Sequence, residues 1–355
     1  MASKPIRRVE PEGFPPPEHP AAYLVWTADS LHAAQTVWLD TAGAVVATRP
    51  GVYIAAGSHL WRWVNARKRV QGVDCQCISA KEHEDWGGCM VRQPAGIAYL
   101  RDLTGGAPRV WVLEASNSDG WAVPVQTAQP LASAGPYLIT SAEGDYDGCG
   151  AHNLPSSWRM VFDLARGDTI EIADTLGVYE RDSAAAVAVF SVDMGMGPES
   201  EQDHGPGSVD GFEFQWTRAG RLQGGYRFYV GACFACSDEG MSYGRTTLVA
   251  DPVLPRWVRP WAGAPGPVRA YWRTDPRLRA GWRHVRTWAT ADSPWRYHSW
   301  FRGPGLRTGW SAVEPAHAVE MLAHFAPPPA SADSASAPPA DSVSPPSSNP
   351  SAGRR

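Results

Sequence analysis

One stretch of the chain combines residue types that can do chemistry with a defined spacing: the run Gly-Cys-Gly-Ala-His that ends at His152. A histidine flanked by glycines can act as a general base or as a metal ligand. The same glycines also permit a tight turn in which the imidazole only hydrogen-bonds neighbouring backbone. Because the sequence fixes no second histidine or pair of carboxylates near His152, the structural interpretation is favoured.

The six cysteines are the second chemical feature. Cys75, Cys77 and Cys89, together with His83, can in principle supply the four ligands of a tetrahedral zinc site, although zinc sites more usually begin with Cys-x-x-Cys. The three cysteines outside this cluster are Cys149, Cys233 and Cys236. Disulfides would imply an oxidising compartment. Free buried thiols are favoured, while zinc and disulfides stay open as alternatives.

Residues 256–310 concentrate positive charge and tryptophan. They hold eight tryptophans and eleven arginines against Asp275 and Asp292, a formal charge of +9; because the whole chain carries −4, the remainder carries −13. Arginines interleaved with aromatic residues can follow a phosphate backbone. No nucleic-acid-binding motif accompanies them, so a nucleic-acid partner is not expected. The favoured interpretation is that these tryptophans pack against β-sheets while the arginines neutralise acidic surface.

The elements that must position these residues are predicted to be mainly β. The 35 glycines and 32 prolines disfavour long helices. Short β-prone runs separated by turn signals are typical of antiparallel meanders, as at residues 23–26, 36–39, 45–48, 52–55 and 60–64. One amphipathic helix is predicted over residues 313–325, with Val319, Leu322 and Phe325 on one face.

The predicted organisation has antiparallel β meanders or sheets in two units, one short C-terminal helix and disordered termini. The segments are an extended arm (1–20), an N-terminal β unit (21–130), a β domain (131–255), a Trp/Arg-rich segment with the terminal helix (256–325) and a disordered tail (326–355). The boundary near residue 130 rests on the Pro-, Ala- and Ser-containing residues 127–136, which suggest a linker or a long turn. The tail is rich in proline and serine and cannot bury enough surface to offset its chain entropy.

From about residue 135 to 255 the order of motifs resembles a small β-rich domain of unknown function. This domain occurs in RsiV-type lysozyme-sensing anti-sigma factors and beside the catalytic domain of PdaC-type polysaccharide deacetylases. It carries a tyrosine-containing strand, a Gly-Gly-Ala-His element, a strand that ends in Asp-Leu-x-x-Gly and a Tyr-x-x-Gly segment. In this chain those places are taken by Tyr137, His152, Asp163 and Tyr243, and Cys149 interrupts the glycine pair.

The resemblance implies a role for the chain. Tyr137, His152, Asp163 and Tyr243 become candidate ligand-binding residues, and no catalytic residue is implied because the deacetylase chemistry lies in a different domain. We therefore expect a non-enzymatic binding or sensing protein, without a cofactor, whose ligand is a protein or a cell-wall glycan. The alternatives are a metal-dependent or hydrolase-like enzyme centred on His152, with zinc as its metal, and a structural accessory protein.

Composition adds an expectation about location. The first residues lack the apolar core of a signal peptide, and nowhere do about 18 consecutive apolar residues occur. This predicts a cytoplasmic protein with no membrane span, or an extracytoplasmic one if the chain is N-terminally trimmed. Only Lys4, Lys68 and Lys81 of the 32 basic residues are lysine, a bias typical of a high-GC bacterium.

Overall fold

The computed structural model describes residues 22–29, 34–73, 90–104, 110–113, 115–116, 122–123, 125–146, 154–170, 209–217, 219–231, 244–251, 254–281 and 307–325. The chain divides into two units, Met1–Phe325 and Ala326–Arg355, and all the described residues belong to the first. The predicted arm (1–20) and tail (326–355) lie outside the described residues.

The described residues are mainly β, which confirms the predicted fold class. In chain order the strands are β1 (Ala22–Ala28), β2 (Gln35–Asp40), β3 (Val45–Pro50), β4 (Tyr53–Ala56), β5 (His59–Val73), β6 (Met90–Asp102), β7 (Val110–Leu113), β8 (Ala115–Ser116), β9 (Ala122–Val123), β10 (Val125–Ala134), β11 (Tyr137–Tyr146), β12 (Leu154–Asp163), β13 (Asp168–Thr169), β14 (Val209–Trp216), β15 (Leu222–Gly231), β16 (Gly244–Asp251) and β17 (Arg307–Val313). The helices are α1 (Gly266–Thr274), α2 (Pro276–Gly281) and α3 (Ala318–Ala323), with 3-10 helices at Arg259–Trp261 and Pro315–His317.

An eight-stranded sheet lies at the centre, with the strand order β13-β12-β11-β10-β17-β1-β2-β3. Neighbours are antiparallel except β10 and β17, which run parallel over three residue pairs. Strand β17 comes from the C-terminal part of the chain and joins β1 to β10. Three smaller sheets follow the orders β4-β5-β6-β7, β14-β15-β16 and β8-β9.

The central strands of this sheet are buried on both faces and apolar on both sides, whereas the edge strand β3 is largely exposed. In β1, Tyr23 and Val25 point to one face while Leu24 and Trp26 point to the other. The first face packs against β14, β15, α1 and the 3-10 helix Arg259–Trp261. The second face packs against β4, β5, β6 and α3. The result is a three-layer arrangement with the eight-stranded sheet in the middle.

A tryptophan joins the three strands at the centre of this sheet. Trp26 of β1 and Ser133 of β10 are both register partners of Gly309 in β17, so all three lie on one face. The Trp26 indole extends over Gly309, and its Nε1 donates a hydrogen bond to Ser133 Oγ at 2.6 Å. A Cβ at position 309 would lie 2.6 Å from that nitrogen, which leaves no room for a side chain.

The second outer layer is tied to the same serine. Trp216 of β14 donates its indole N–H to the carbonyl oxygen of Ser133 at 2.8 Å. Trp257, Trp261, Trp272 and Trp310 are also buried, at 5% exposure or less, in the cluster that includes Trp216. The prediction that the tryptophans of residues 256–310 pack against β-sheets is therefore confirmed for these four; the other four lie outside the described residues.

The predicted linker at residues 127–136 is wrong. The structure forms a strand and a tight hairpin there, in which Gly135 takes a positive φ of 57° beneath the Trp261 ring. Pro130 is accommodated because the pairing of β10 with β11 is irregular between Pro130 and Ala132. The boundary drawn near residue 130 thus falls within β10, and the central sheet takes strands from both sides of it.

The short C-terminal helix is confirmed, but its predicted bounds and face are wrong. Val313 completes β17 by pairing with Ala22, so α3 begins only at Ala318. Val319 is consequently 84% exposed, whereas Met321 and Phe325 are buried. The Phe325 ring packs against Trp38 and Tyr53, with centroid distances of 5.8 and 5.2 Å.

The contact at Gly309 generates a stability prediction. Gly309→Ala should lower the free energy of unfolding by about 1–3 kcal/mol or more, because the added methyl displaces the Trp26 indole from Ser133. The measurement is urea unfolding followed by tryptophan fluorescence.

Gly263→Ala is the matched control, because an added Cβ there meets no atom within 4 Å. It should change stability by no more than about 0.5 kcal/mol. Equal effects of the two substitutions would contradict the proposed packing of Trp26 over Gly309.

Candidate functional site

The structure brings together two of the four residues that the resemblance implicates. Tyr137 begins β11 and Asp163 ends β12, and the two are register partners. Both are buried, at 0% and 3% exposure. His152 and Tyr243 lie outside the described residues, so the predicted ligand-binding role of the four residues stays a prediction.

Asp163 has a structural role in the turn that follows β12. Its Oδ1 accepts the backbone N–H groups of Ala165 at 3.1 Å and Arg166 at 3.2 Å, and its carbonyl accepts Gly167 N–H at 2.9 Å. Burial raises the pKa of the Asp163 carboxyl, and the two backbone N–H groups and Arg166 offset only part of this effect. The carboxylate therefore closes the Asp-Leu-Ala-Arg-Gly turn.

Tyr137 belongs to the core. Its ring packs edge-on against Trp257, with centroids 4.9 Å apart and an interplanar angle of 62°. Trp257 also contacts Phe212 and Phe214 of β14, at centroid distances of 5.9 and 6.5 Å. Tyr137 thus anchors the layer formed by β14 and β15 to the central sheet.

The predicted zinc ligands Cys75, Cys77, His83 and Cys89 all lie outside the described residues. The same holds for the possible disulfide or thiol residues, which are Cys149, Cys233 and Cys236. Over the described ranges, no group of three or more His, Cys, Asp and Glu side chains has the proximity needed to hold a metal ion. The zinc site therefore stays a prediction.

A buried ion pair connects the central sheet to β14. Arg159 of β12 donates from Nε to Glu213 Oε2 at 3.1 Å and from Nη1 to Ser141 Oγ at 2.6 Å. The side chains of Arg159 and Glu213 are only 5% and 6% exposed. A pair this deeply buried positions two layers relative to each other, and each charge stabilises the other.

The described polar group that best fits a functional role is a histidine held by a buried aspartate. His59 opens β5 immediately after the Gly57–Ser58 turn, and Asp102 closes β6. His59 Nδ1 lies 2.7 Å from Asp102 Oδ2, with side-chain exposures of 27% and 3%. The structure therefore places an imidazole at the surface and its orienting carboxylate inside.

The carboxylate is itself held in place. Asp102 Oδ1 accepts the backbone N–H of Thr104 at 3.0 Å and its hydroxyl at 2.8 Å. Thr104 Oγ1 accepts the N–H of Leu60 at 3.0 Å, and Leu60 follows His59 directly in the chain. This closed network fixes both the imidazole plane and the end of the β5–β6 pair.

The geometry determines which ring nitrogen is available. A carboxylate only accepts hydrogen bonds, so Nδ1 of His59 carries the proton and Nε2 of the neutral ring is an acceptor. The same arrangement, a carboxylate that fixes the tautomer of a histidine, occurs in catalytic and metal-binding sites. His59 can therefore accept a hydrogen bond from a ligand, act as a base or coordinate a metal through Nε2.

Sequence reasoning missed this pair for a physical reason. His59 directly follows the Gly57–Ser58 turn, and its sequence neighbours give no sign of a carboxylate partner. Its partner lies 43 residues away, and the two meet because Trp61 of β5 pairs with Asp102 of β6. No motif spacing encodes such a register, so only the predicted length and pairing of these strands could have indicated it.

A second described surface feature is the charged corner beside this site. Glu314 and His317 form an i,i+3 pair with an Oε2–Nδ1 distance of 3.5 Å, and both are partly exposed. Glu314 also borders the Gly57 turn, since a Cβ on Gly57 would lie 3.8 Å from its Oε1. The turn before His59 is therefore flanked by a second histidine–carboxylate pair.

Comparisons with protein-family models, curated proteins and solved structures found no match. The resemblance to the RsiV/PdaC-associated domain therefore stays a prediction that rests on the motifs in this sequence. In the part of the chain that the structure describes, no helix is both long and apolar enough to cross a membrane.

The buried ion pair leads to a double-mutant prediction. Arg159→Met should lower the free energy of unfolding by about 3–5 kcal/mol, because it removes the positive charge that faces the buried Glu213 carboxylate. Combining it with Glu213→Leu should recover much of that loss. Urea unfolding of the two single variants and the double variant measures the coupling, and strictly additive losses would show that the charges do not compensate each other.

The raised pKa of Asp163 leads to a pH prediction. Because the folded-state pKa lies above the ordinary value of 3.8, the folded protein takes up this proton first. The contribution of this group to stability is therefore greatest below that ordinary value and is lost as the pH rises through the folded-state pKa. Asp163→Asn keeps the turn acceptor without the charge, so wild type should gain stability relative to this variant as the pH falls from neutral towards about 4.

Urea unfolding at several pH values tests this expectation. Asp40→Asn is the matched control, because Asp40 Oδ1 also closes a turn by accepting Ala42 and Ala44 N–H groups, at 2.9 and 2.8 Å. The Asp40→Asn variant shows how much stability is lost simply because a carboxylate that closes a turn is replaced by an amide. A gain of wild type over Asp163→Asn with rising pH would refute the assignment.

Proposed function

We propose that this protein is a non-enzymatic binding or sensing protein whose ligand is a protein or a cell-wall glycan. The observation that carries the proposal is the His59–Asp102 pair, in which a buried carboxylate orients a partly exposed imidazole on an outer layer of the scaffold. Asp102 and Thr104 fix the ring before any ligand arrives, which reduces the entropy lost on binding. His152 and Tyr243 remain candidates for the same role.

A protein ligand is favoured over a glycan. Glycan sites commonly stack sugar rings on exposed aromatic side chains, since aromatic faces offer a rigid apolar surface. The tryptophans whose side chains the structure describes are all at most 7% exposed, and they are Trp26, Trp38, Trp61, Trp63, Trp216, Trp257, Trp261, Trp272 and Trp310. These residues therefore stabilise the core and offer no platform for a sugar.

A second candidate function is a hydrolase-like or metal-dependent activity, and the same pair is the observation that favours it. A carboxylate-oriented imidazole can serve as a general base. Such a reaction needs a nucleophile or metal in addition, for which His152 and the zinc set at Cys75, Cys77, His83 and Cys89 remain the candidates. Metal analysis of freshly purified protein together with thiol titration separates the two functions, because stoichiometric zinc supports the enzyme and zinc-free protein with titratable thiols supports the binding protein.

Substitution of His59 tests the binding role. His59→Gln keeps a polar side chain but cannot reproduce the imidazole geometry, so it should weaken binding to a partner recovered with the wild-type protein by about tenfold or more. His317→Gln is the matched control, because it removes the neighbouring partly exposed histidine. Affinities are measured by surface plasmon resonance on the recovered protein, and a glycan array is screened with the same three proteins.

Four outcomes would be decisive. Loss of binding in His59→Gln alone supports the proposal. Unchanged binding in both variants refutes the role of His59. Turnover of a substrate by the purified protein, with neither a protein nor a glycan bound, would refute the proposed function in favour of the enzyme, and the absence of both activities would leave the structural accessory protein.

A further inference from the structure

Three exposed arginines lie together on the outer layer that carries α1. Arg269 and Arg273 belong to α1, and Arg221 lies in the turn between β14 and β15; all three are exposed. We call these three residues the arginine face. They lie on the layer that packs against the first face of the central sheet, whereas His59 belongs to β5 in the opposite layer.

The backbone brings Arg221 and Arg269 next to each other. Gly220 has a positive φ of 72°, and a Cβ there would lie 2.6 Å from Arg269 Cγ. The aliphatic stem of Arg269 therefore rests directly on the residue that precedes Arg221. Only glycine combines this backbone conformation with such a close approach.

The elements below the arginine face are firmly attached. The turn is closed by Thr217 N–H to the Arg221 carbonyl at 2.8 Å, and Ala264 N–H donates to the Gly220 carbonyl at 2.9 Å. Helix α1 then buries Val268 and Trp272, at 0% and 1% exposure. The guanidinium groups therefore extend from a fixed base.

The positive charge of the arginine face is not neutralised within the part of the chain that the structure describes. No ion pair there joins Arg221, Arg269 or Arg273 to a carboxylate. Asp275, which follows α1, is instead held by Arg277 Nη2 at 2.8 Å and by the Tyr271 hydroxyl at 3.1 Å. Arg269 and Arg273 are also four residues apart on one helix, so they repel each other unless an anion lies between them.

This arrangement differs from that of two other described arginines, Arg159 and Arg277. Arg159 and Arg277 each meet a carboxylate within 3.1 Å. Guanidinium groups bind carboxylates and phosphates through paired hydrogen bonds, so an unpaired cluster of them is suited to an anionic partner.

The distribution of charge along the chain indicates which class of anionic partner fits the arginine face. Residues 256–310 carry a formal charge of +9 while the remainder carries −13, so a long polyanion such as RNA would be repelled outside this region. A short acidic protein segment contacts only the arginine face and avoids that repulsion. In addition, the described tryptophans are buried and cannot stack on bases.

We propose that the arginine face, formed by Arg221, Arg269 and Arg273, docks an acidic segment of a protein partner. The inference rests on the proposed function, since it names the chemistry of the protein that is bound. Each exposed ion pair contributes little, so the interaction is of modest affinity and depends strongly on ionic strength.

The test measures binding of a fluorescently labelled oligoglutamate peptide to the full chain by anisotropy, at low and at physiological ionic strength. Arg269→Gln with Arg273→Gln should weaken binding by about fivefold or more, and Arg221→Gln alone by about twofold. The matched control is Arg62→Gln with Arg101→Gln. These two exposed arginines are register partners on β5 and β6, so the control removes the same charge from the opposite layer.

A labelled oligouridylate of equal length, measured in parallel, distinguishes the partner classes. Peptide binding that falls with salt and with the Arg269/Arg273 substitutions, but not with the control pair, supports the proposal. Equal losses in both double variants, no peptide binding at low ionic strength, or tighter binding of the oligouridylate would overturn it. Unfolding midpoints of all variants show whether a loss reflects binding or folding, and Arg221→Gln, in an exposed turn, provides a second measurement.

The outcomes also separate this inference from the proposed function. If a recovered protein partner binds the Arg269/Arg273 double variant as well as wild type, the arginine face is not its docking surface while the binding function stands. If no protein partner is recovered, the proposed function fails whatever the peptide affinity is.

Discussion

The structure depends on how closely Trp26 approaches Gly309. Strand β17 is the link between the strands of the N-terminal part and β10 in the middle of the chain, and the indole of Trp26 extends across it to Ser133. A side chain on Gly309 would overlap Ser133 and the indole nitrogen that is bonded to it. Because Trp216 donates to the carbonyl of the same Ser133 from the other face, the central sheet and one outer layer are fixed at a single residue. Strands β1 and β10 are two strand spacings apart, about 9.5 Å, because β17 lies between them. A tryptophan side chain can span this distance, and few other side chains can.

Burial of the central strands on both faces limits where ligands can bind. These strands have no free face, so recognition must use the outer layers, their turns or the edge strands. The described polar groups follow this division. Asp163 and the Arg159–Glu213 pair are buried and join backbone or layers, whereas His59 and the arginine face lie at the surface on opposite layers. In each surface site, an inner group holds the outer one: Asp102 orients His59, and Gly220 makes room for Arg269.

The local patterns predicted the strands well because short β-prone runs and turn residues act locally. They predicted the β class and the burial of the four tryptophans between residues 256 and 310 that the structure describes. They failed where pairing over a distance decides the outcome. Val313 fits a helical pattern, but pairing with Ala22 holds it in β17. Residues 127–136 resemble a linker, but the burial of Ala132 and Ala134 and the irregular pairing at Pro130 keep them in β10. For the same reason the His59–Asp102 pair, created by a strand register, could not be predicted.

The described arginines lie in two kinds of environment, paired with a carboxylate or exposed to solvent. The abundance of arginine alone gives no functional information. Arg159 is buried against Glu213, and Arg277 forms an ion pair with Asp275. The positive charge of each is therefore balanced by a carboxylate within the described structure. Arg269 and Arg273 face solvent on one helix, and their mutual repulsion is a cost that an intramolecular carboxylate would remove. The chain has a large excess of acidic residues outside residues 256–310, yet none of those described pairs with these arginines. Among the described residues, the environment of each arginine therefore depends on how the fold arranges the surface and not on composition alone, and the partner with complementary charge stays a proposal.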